Sequence, residues 1–119
     1  MKIERASADA TAAGGLMEVI SRTILTGEIT VTGSKLIRFI TVDTEGAVPT
    51  DDLVTINGGN VGELAVIQAA NSARTVVMKD GADLKLQGDF SLDNIEDKAF
   101  LVCVSSGVWH GLGKQSSGV

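Results

Sequence analysis

Hydrophobic and polar residues alternate with a period of two through the middle of the chain, residues 53–92. In the runs 64–69, 75–78 and 84–87, neighbouring side chains therefore fall on opposite faces of an extended segment. Turn-forming groups separate these runs: Asn57-Gly58-Gly59-Asn60, Asn71-Ser72, Asp80-Gly81 and Gln87-Gly88-Asp89. The pattern predicts an all-β fold, either a small β-sandwich or a prism-like β-module with an extended N-terminal arm.

Further strands are predicted on both sides of this centre. Residues 28–32 and 36–42 flank Gly33-Ser34 and are expected to form a hairpin. Residues 98–104 are strongly apolar and predict another strand, and residues 108–112 predict a short closing strand. The interval 43–52 contains the only proline and four acids, which predicts a surface loop and makes it the best candidate for a functional loop.

The N-terminal region has a different composition. Its first fifteen residues are small and polar and end in Gly14-Gly15, which is typical of an arm and not of a packed domain. Residues 16–25 fit either an apolar helical stripe or an extended segment, and we expect the extended form because a short helix after two glycines is marginal. We divide the chain into an arm, residues 1–26, and a β-domain, residues 27–119.

Composition narrows the classes of function. A net charge of −5 and a pI near 4.7 argue against nucleic-acid binding, because phosphates would be repelled. Hydrophobic residues make up 44% of the chain but aromatic residues only 3%, so the core must be aliphatic. Burying so much aliphatic surface is easier if identical copies share it, which predicts an oligomer. No apolar run approaches the roughly 20 residues that cross a bilayer, and we expect a protein made in the cytosol with no membrane partner.

Candidate chemistry is sparse. The acids Asp43, Glu45, Asp51 and Asp52 could pair in a glycosidase or bind calcium, but the chain lacks EF-hand spacing and the aromatic platforms of a sugar cleft. His110 is the only histidine, so no conventional triad can be assembled. Cys103 lies in an apolar run and is expected to be buried. We therefore expect no enzyme activity, no metal and no cofactor.

Several pieces of the chain, taken in order, resemble a β-module of tailed-bacteriophage virion proteins. They are residues 42–46 (VDTEG), 51–59 (DDLVTINGG), 69–81 (AANSARTVVMKDG) and 84–94 (LKLQGDFSLDN), followed by a closing Gly107-Val108-Trp109 strand. The resemblance covers roughly residues 29–112. It implies a virion structural protein, made in the host cytoplasm, of the capsid-decoration or tail-fibre type.

Length favours one of these roles. A tail fibre reaches tens of nanometres, whereas a compact β-domain of 119 residues spans only a few. We therefore expect a homotrimeric capsid decoration protein that stabilises the shell by binding the major capsid protein or another virion protein. The alternative is a tail- or head-fibre module that binds a host surface receptor or glycan.

Candidate interface residues follow from this interpretation. The anchoring arm would use its larger apolar side chains, Met1, Ile3, Leu16, Met17, Val19 and Ile20. Arg74 and Lys79 flank a strand, where they could keep its ends soluble and protect its edge or form salt bridges to acids of a neighbouring subunit. Trp109 is expected to pack in the core or against a partner subunit, with stacking on a sugar as the alternative.

Overall fold

The computed structural model of the protein describes residues 15–117, which form β-strands connected by turns. The expectation of an all-β fold is confirmed. The interval predicted as a loop contains a 3₁₀ turn, Glu45–Ala47, and its two ends belong to strands. The strands are β1 Met17–Thr23, β2 Glu28–Thr30, β3 Ile37–Asp43, β4 Thr50–Leu53, β5 Thr55–Asn57, β6 Leu64–Ala69, β7 Thr75–Met78, β8 Leu84–Lys85, β9 Phe90–Leu92, β10 Lys98–Ser105 and β11 Val108–Gln115.

These strands form three sheets around one core. Sheet A has the strand order β1-β3-β6-β10-β11-β8, sheet B pairs β2 with β5, and sheet C has the order β4-β7-β9. Alternate residues of the strands point inward, as their period-two pattern predicts. The buried side chains are mainly aliphatic, with Trp109 the largest of them, and they form a single cluster.

Strands from successive turns of the chain stack in parallel. In sheet A, β1 pairs with β3 and β3 with β6, so that Met17, Ile37 and Leu64 occupy equivalent positions. Sheet B repeats this order with β2 and β5, and sheet C with β4 and β7. The chain therefore winds in coils that pass from one sheet to the next. Because the segments between equivalent strands differ in length, the coils leave no repeat in the sequence.

The C-terminal strands reverse direction and end this stack. Strand β9 runs antiparallel to β7, and β10 runs antiparallel to β6. Strand β10 continues into β11 through a tight turn at Gly107, whose φ is 80°. The register of this hairpin shifts where Phe100 pairs with Gly113 but Leu101 pairs with Gly111, which leaves Leu112 as the extra residue of a β-bulge.

A buried arginine joins three coils. The Arg38 side chain on β3 is buried and donates to Glu63 Oε1 at 2.9 Å and to Glu18 Oε1 at 2.6 Å. Glu18 lies on β1 and Glu63 directly precedes β6, so Arg38 links three neighbouring strands of sheet A. It also donates to the carbonyls of Thr32 and Gly33 at 3.0 and 2.7 Å. These last two bonds hold the connection between β2 and β3 against the side of the coil.

Two sequence-based expectations are wrong. Residues 28–32 and 36–42 do not form a hairpin: β2 pairs with β5, and β3 lies between β1 and β6 in another sheet. The arm does not extend to residue 26, because β1 is a full strand of sheet A and Ile24 is in the core. The extended conformation expected for residues 16–25 is confirmed over Met17–Thr23.

Candidate interaction surface

The outer face of sheet A has apolar side chains on four adjacent strands, β1, β3, β6 and β10. The strand registers align these side chains in two rows, because outward residues recur at every second position. We call this surface the apolar face. Its first row is Met17, Ile37, Leu64 and Val102, and its second row is Val19, Phe39, Val66 and Phe100.

Part of the apolar face is open to solvent. Val19 is 76% exposed, Met17 54%, Phe100 39% and Leu64 37%, and the other four members are half-buried. With strands about 4.8 Å apart and rows about 7 Å apart, the footprint is on the order of 300 Å². A continuous apolar patch of this size is comparable to the largest patch of a typical monomer, and such patches are often functional, whereas scattered apolar residues are not.

A polar row borders the apolar face. Ser21 and Thr41 pair across β1 and β3, and Thr41 pairs with Gln68 on β6. The Gln68 Nε2 amide donates to Thr41 Oγ1 at 3.0 Å, so these side chains satisfy each other on the surface. Beside β10, His110 is exposed on β11 and pairs with Val102. The apolar face therefore has polar residues on two of its sides, whereas the exposed Val104 extends it along β10.

The predicted arm residues divide into three groups. Leu16, Met17 and Val19 are exposed, and the last two belong to the apolar face. Ile20 is partly buried and packs against the core, so its side chain is on the side of β1 opposite to the apolar face. Met1 and Ile3 lie outside the described residues.

The two cations predicted to bridge subunits are paired within the chain. Arg74 donates from Nε to Asp43 Oδ1 at 2.7 Å and from Nη2 to Asp43 Oδ2 at 3.0 Å, and this bond holds the pKa of Asp43 below its ordinary value. Lys79 Nζ lies 2.8 Å from Asp89 Oδ2, and Lys79 lowers the pKa of that carboxyl in turn. The salt bridges expected to a neighbouring subunit are therefore made to β3 and to the β8–β9 turn.

Trp109 belongs to the core. It is buried, and its indole N–H donates to the carbonyl oxygen of Ile56 at 3.1 Å. Neither a partner subunit nor a sugar can reach the ring in this position. Of the roles weighed for Trp109, core packing is confirmed and the intersubunit contact is wrong.

The acids of residues 43–52 hold their own segment together. Glu45 Oε1 accepts the Thr26 N–H at 2.9 Å, and Asp51 Oδ2 accepts the Glu45 N–H at 2.8 Å. Asp43 is bound to Arg74, and Asp52 lies on β4. Within residues 15–117, no three acidic, histidine or cysteine side chains come close enough to hold a metal ion. Asp43, Glu45 and Asp51 therefore have partners within the chain, and none of the four acids lines either groove of the described residues.

The lone thiol has the predicted position. Cys103 is buried on β10, and burial raises the pKa of its thiol above the ordinary value. Its Sγ lies 3.1 Å from the Ser105 carbonyl oxygen. A buried thiol of raised pKa is a poor nucleophile, so Cys103 acts as a small core residue.

A second surface feature was not predicted from the sequence. A groove of about 310 Å³ lies beside β11, with apolar side chains from β7, β9 and β10 and from the turn after β8. Its residues are far apart in the sequence, so no local pattern could indicate it. The lining includes Met78, Leu86, Phe90, Ala99, Leu101 and Lys114.

Among residues 15–117, no helix is long and apolar enough to cross a membrane. Comparisons with protein-family models, with curated proteins and with solved structures found no match to this chain.

Proposed function

We propose that this chain is a structural protein of a tailed-phage virion, a homotrimeric decoration protein that stabilises the capsid shell. The observation that supports self-association is the apolar face, which spans four strands of sheet A. The phage assignment is supported by the resemblance of residues 29–112 to virion β-modules. The major capsid protein or another virion protein is the expected partner of the trimer.

The apolar face is large enough to support self-association. Covering a footprint of this size is worth on the order of 8 kcal/mol per copy, whereas each association step costs about 4–15 kcal/mol in lost freedom. A pair of copies covers two faces and a ring covers three, so the gain meets the cost in either assembly and the area alone does not choose between them. In a ring of three, each copy contacts two neighbours, and the three faces meet at the symmetry axis and exclude water.

The chemistry of the described residues supports a structural role. Three of the acids that could have formed a catalytic pair, Asp43, Glu45 and Asp51, are bound to Arg74 or to backbone N–H groups. The thiol is buried, and the one histidine is exposed on β11 among strand residues. The alternative of a fibre module that binds a glycan has less support, because Trp109, the one residue proposed to stack on a sugar, is in the core.

The self-association is tested by sedimentation velocity over a range of micromolar concentrations. We expect a trimer mass for the natural chain and a monomer mass for Val66→Asp, with Thr41→Asp in the neighbouring polar row as the matched control. A monomer at every concentration, or equal masses for the two variants, would contradict the proposal. Cryo-electron microscopy and mass spectrometry of purified phage particles test the location, and absence of the chain from the particles would refute the virion assignment.

A further inference from the structure

Strand β11 has a free edge over its second half. It pairs with β10 from Val108 to Gln115, but on its other side β8 covers only Trp109 and His110. Beyond His110, no other strand within residues 15–117 pairs with this edge. The backbone groups that point away from β10 therefore have no strand partner there.

The turn that follows β8 explains why this edge of β11 has no partner strand. The Asp80 carboxylate accepts the Leu86 N–H at 2.9 Å and the Gly88 N–H at 3.0 Å. Gln87 and Gly88 have φ values of 62° and 115°, so the chain bends sharply here. These bonds draw the chain away from β11 directly after Lys85, and the edge stays open because the turn is held by Asp80.

The groove lies along this free edge. Its floor consists of the buried residues Met78, Ala99 and Leu101, and the half-buried Leu86 and Phe90 form its walls. Gly111 and Gly113 form part of the rim, so the β11 backbone approaches the groove with little side-chain cover. A Cβ placed on Gly111 would already lie 3.4 Å from Leu86 Cδ2, whereas Gly113 faces open space.

One positive charge stands at the groove. Lys114 is the only charged residue in its lining, and its Nζ lies 5.0 Å from the centre of the Phe90 ring. No carboxylate within residues 15–117 forms a salt bridge with Lys114. A ligand with a carboxylate near an apolar group would complement both features.

We propose that this groove binds an extended peptide segment of a partner protein. The segment adds as a strand to β11 at residues 111–115, places an apolar side chain between Leu86 and Phe90, and brings an acidic side chain to Lys114. A peptide fits better than a small apolar molecule because the rim is a strand edge, whose N–H and C=O groups recur at the spacing of an extended main chain. The proposal is independent of the homotrimer and of the virion assignment, because β11 from Gly111 onward is outside the apolar face.

The test uses the full chain and a library of random octapeptides displayed on yeast. We expect selected peptides to alternate apolar and polar residues and to contain an aspartate or glutamate. Synthetic copies are then titrated by fluorescence anisotropy against the natural chain, Lys114→Glu and Lys85→Glu. Lys85 lies on the neighbouring β8 outside the groove, so it provides the same charge reversal as a matched control.

Lys114→Glu should weaken binding at least tenfold and Lys85→Glu should not. The loss should largely disappear for a peptide whose acid is replaced by its amide, and the thermal melting of each free variant shows whether it is folded. In addition, those amides of residues 112–115 that point away from β10 should exchange more slowly when the peptide binds, whereas the amides bonded to β10 are protected in both states. Failure to select any peptide, equal binding to both variants, or protection of the outward-pointing amides in the free chain would overturn the proposal, the last because another part of the chain or a second copy would then cover the edge.

Discussion

Gly59 shows how closely single residues are fitted around Trp109. Its φ is 91°, and a Cβ at this position would lie 2.5 Å from Trp109 Cζ2 and 3.0 Å from Cys103 Sγ. Gly59→Ala should therefore destabilise the fold by about 2 kcal/mol or more through strain and overpacking together. Gly62→Ala is the matched control, since Gly62 has a φ of 94° but open space around it. Urea unfolding of both variants measures the difference, and equal losses would show that the contact with Trp109 carries no cost.

Glu63 makes the stability of the fold sensitive to acid. Burial alone would raise the pKa of this carboxyl, but hydrogen bonds from Arg38, the Lys35 N–H and Asn60 outweigh it and hold the pKa below the ordinary 4.5. Because the folded pKa is the lower one, the stabilisation is fully present above pH 4.5 and is lost as the pH falls below it. At neutral pH we expect Glu63→Gln to have a lower free energy of unfolding than the natural protein. On acidification its free energy of unfolding should fall less than that of the natural protein.

Urea unfolding of both proteins at neutral pH and below pH 4 makes this comparison. Other carboxyls with lowered pKa, such as Asp43 and Asp89, are unchanged between the two proteins and cancel in the difference. Parallel pH profiles would show that the Arg38–Glu63 pair contributes nothing to acid sensitivity.

The burial of Arg38 was not predicted, although the sequence contained a signal for it. Arg38 has the same parity as Ile40 and Val42 in an apolar run, so it had to share their inward side. What the sequence could not supply was its partners, Glu18 and Glu63, because these lie on other coils.

At the scale of the strand, the two sides of β10 have different roles: the inward side chains belong to the core, and the outward side chains belong to the apolar face. Leu101 points inward and is buried, whereas Val102 points outward within the apolar face. Leu101→Asp should unfold the protein, because an unpaired carboxylate in the core costs several kcal/mol. Val102→Asp should leave the circular dichroism and melting of the monomer nearly unchanged but abolish the trimer in sedimentation. If Val102→Asp is folded and sediments as the natural protein does, the apolar face is not the contact between copies. Unfolding of Val102→Asp would contradict the separation of folding from association on this strand.

Strand positions were predictable, but strand partners were not. The alternation in residues 64–69 and 75–78 correctly predicted β6 and β7, because period two is a local property of an extended chain. The partner of β2 is β5, which is distant in the sequence, and the connection from β2 to β3 is held by bonds from Arg38 to Thr32 and Gly33 in place of a hairpin turn. No local pattern indicates either contact. The apolar face was indicated by the continuous apolar run of β10, residues 99–104, and by Ile37 and Phe39 of β3, which are apolar although they lie on the side opposite to the buried Ile40.

At the scale of the whole molecule, the boundary between the arm and the domain can be tested by truncation. Deleting residues 1–14 should leave the melting of the free protein nearly unchanged, because β1 and all of the core described above remain. If this segment anchors a trimer to the shell, its loss should weaken attachment by roughly 10² or more, since three arms act together. Deleting residues 1–23 should in addition lower stability and association, because it removes β1 with Met17 and Val19.

The two truncations are compared by thermal melting and by rebinding to particles stripped of the protein. Equal occupancy for the natural chain and for the chain without residues 1–14 would show that the anchor lies elsewhere, for example in residues 43–52. Unchanged melting after removal of residues 1–23 would show that β1 adds no stability to sheet A.

The reversal of direction at β9 and β10 has a consequence for synthesis on the ribosome. The parallel coils of β1, β3 and β6 emerge first, and each can pair with a strand that has already left the exit tunnel. Until β10 emerges, one edge of β6 has no partner strand and its inward apolar residues are exposed. During that interval a neighbouring nascent chain could pair with the same edge. The growing chain should therefore be prone to aggregation until its late antiparallel strands have emerged. We expect ribosome-bound chains that end before β10 to recruit chaperones, and chains that include β10 to do so less.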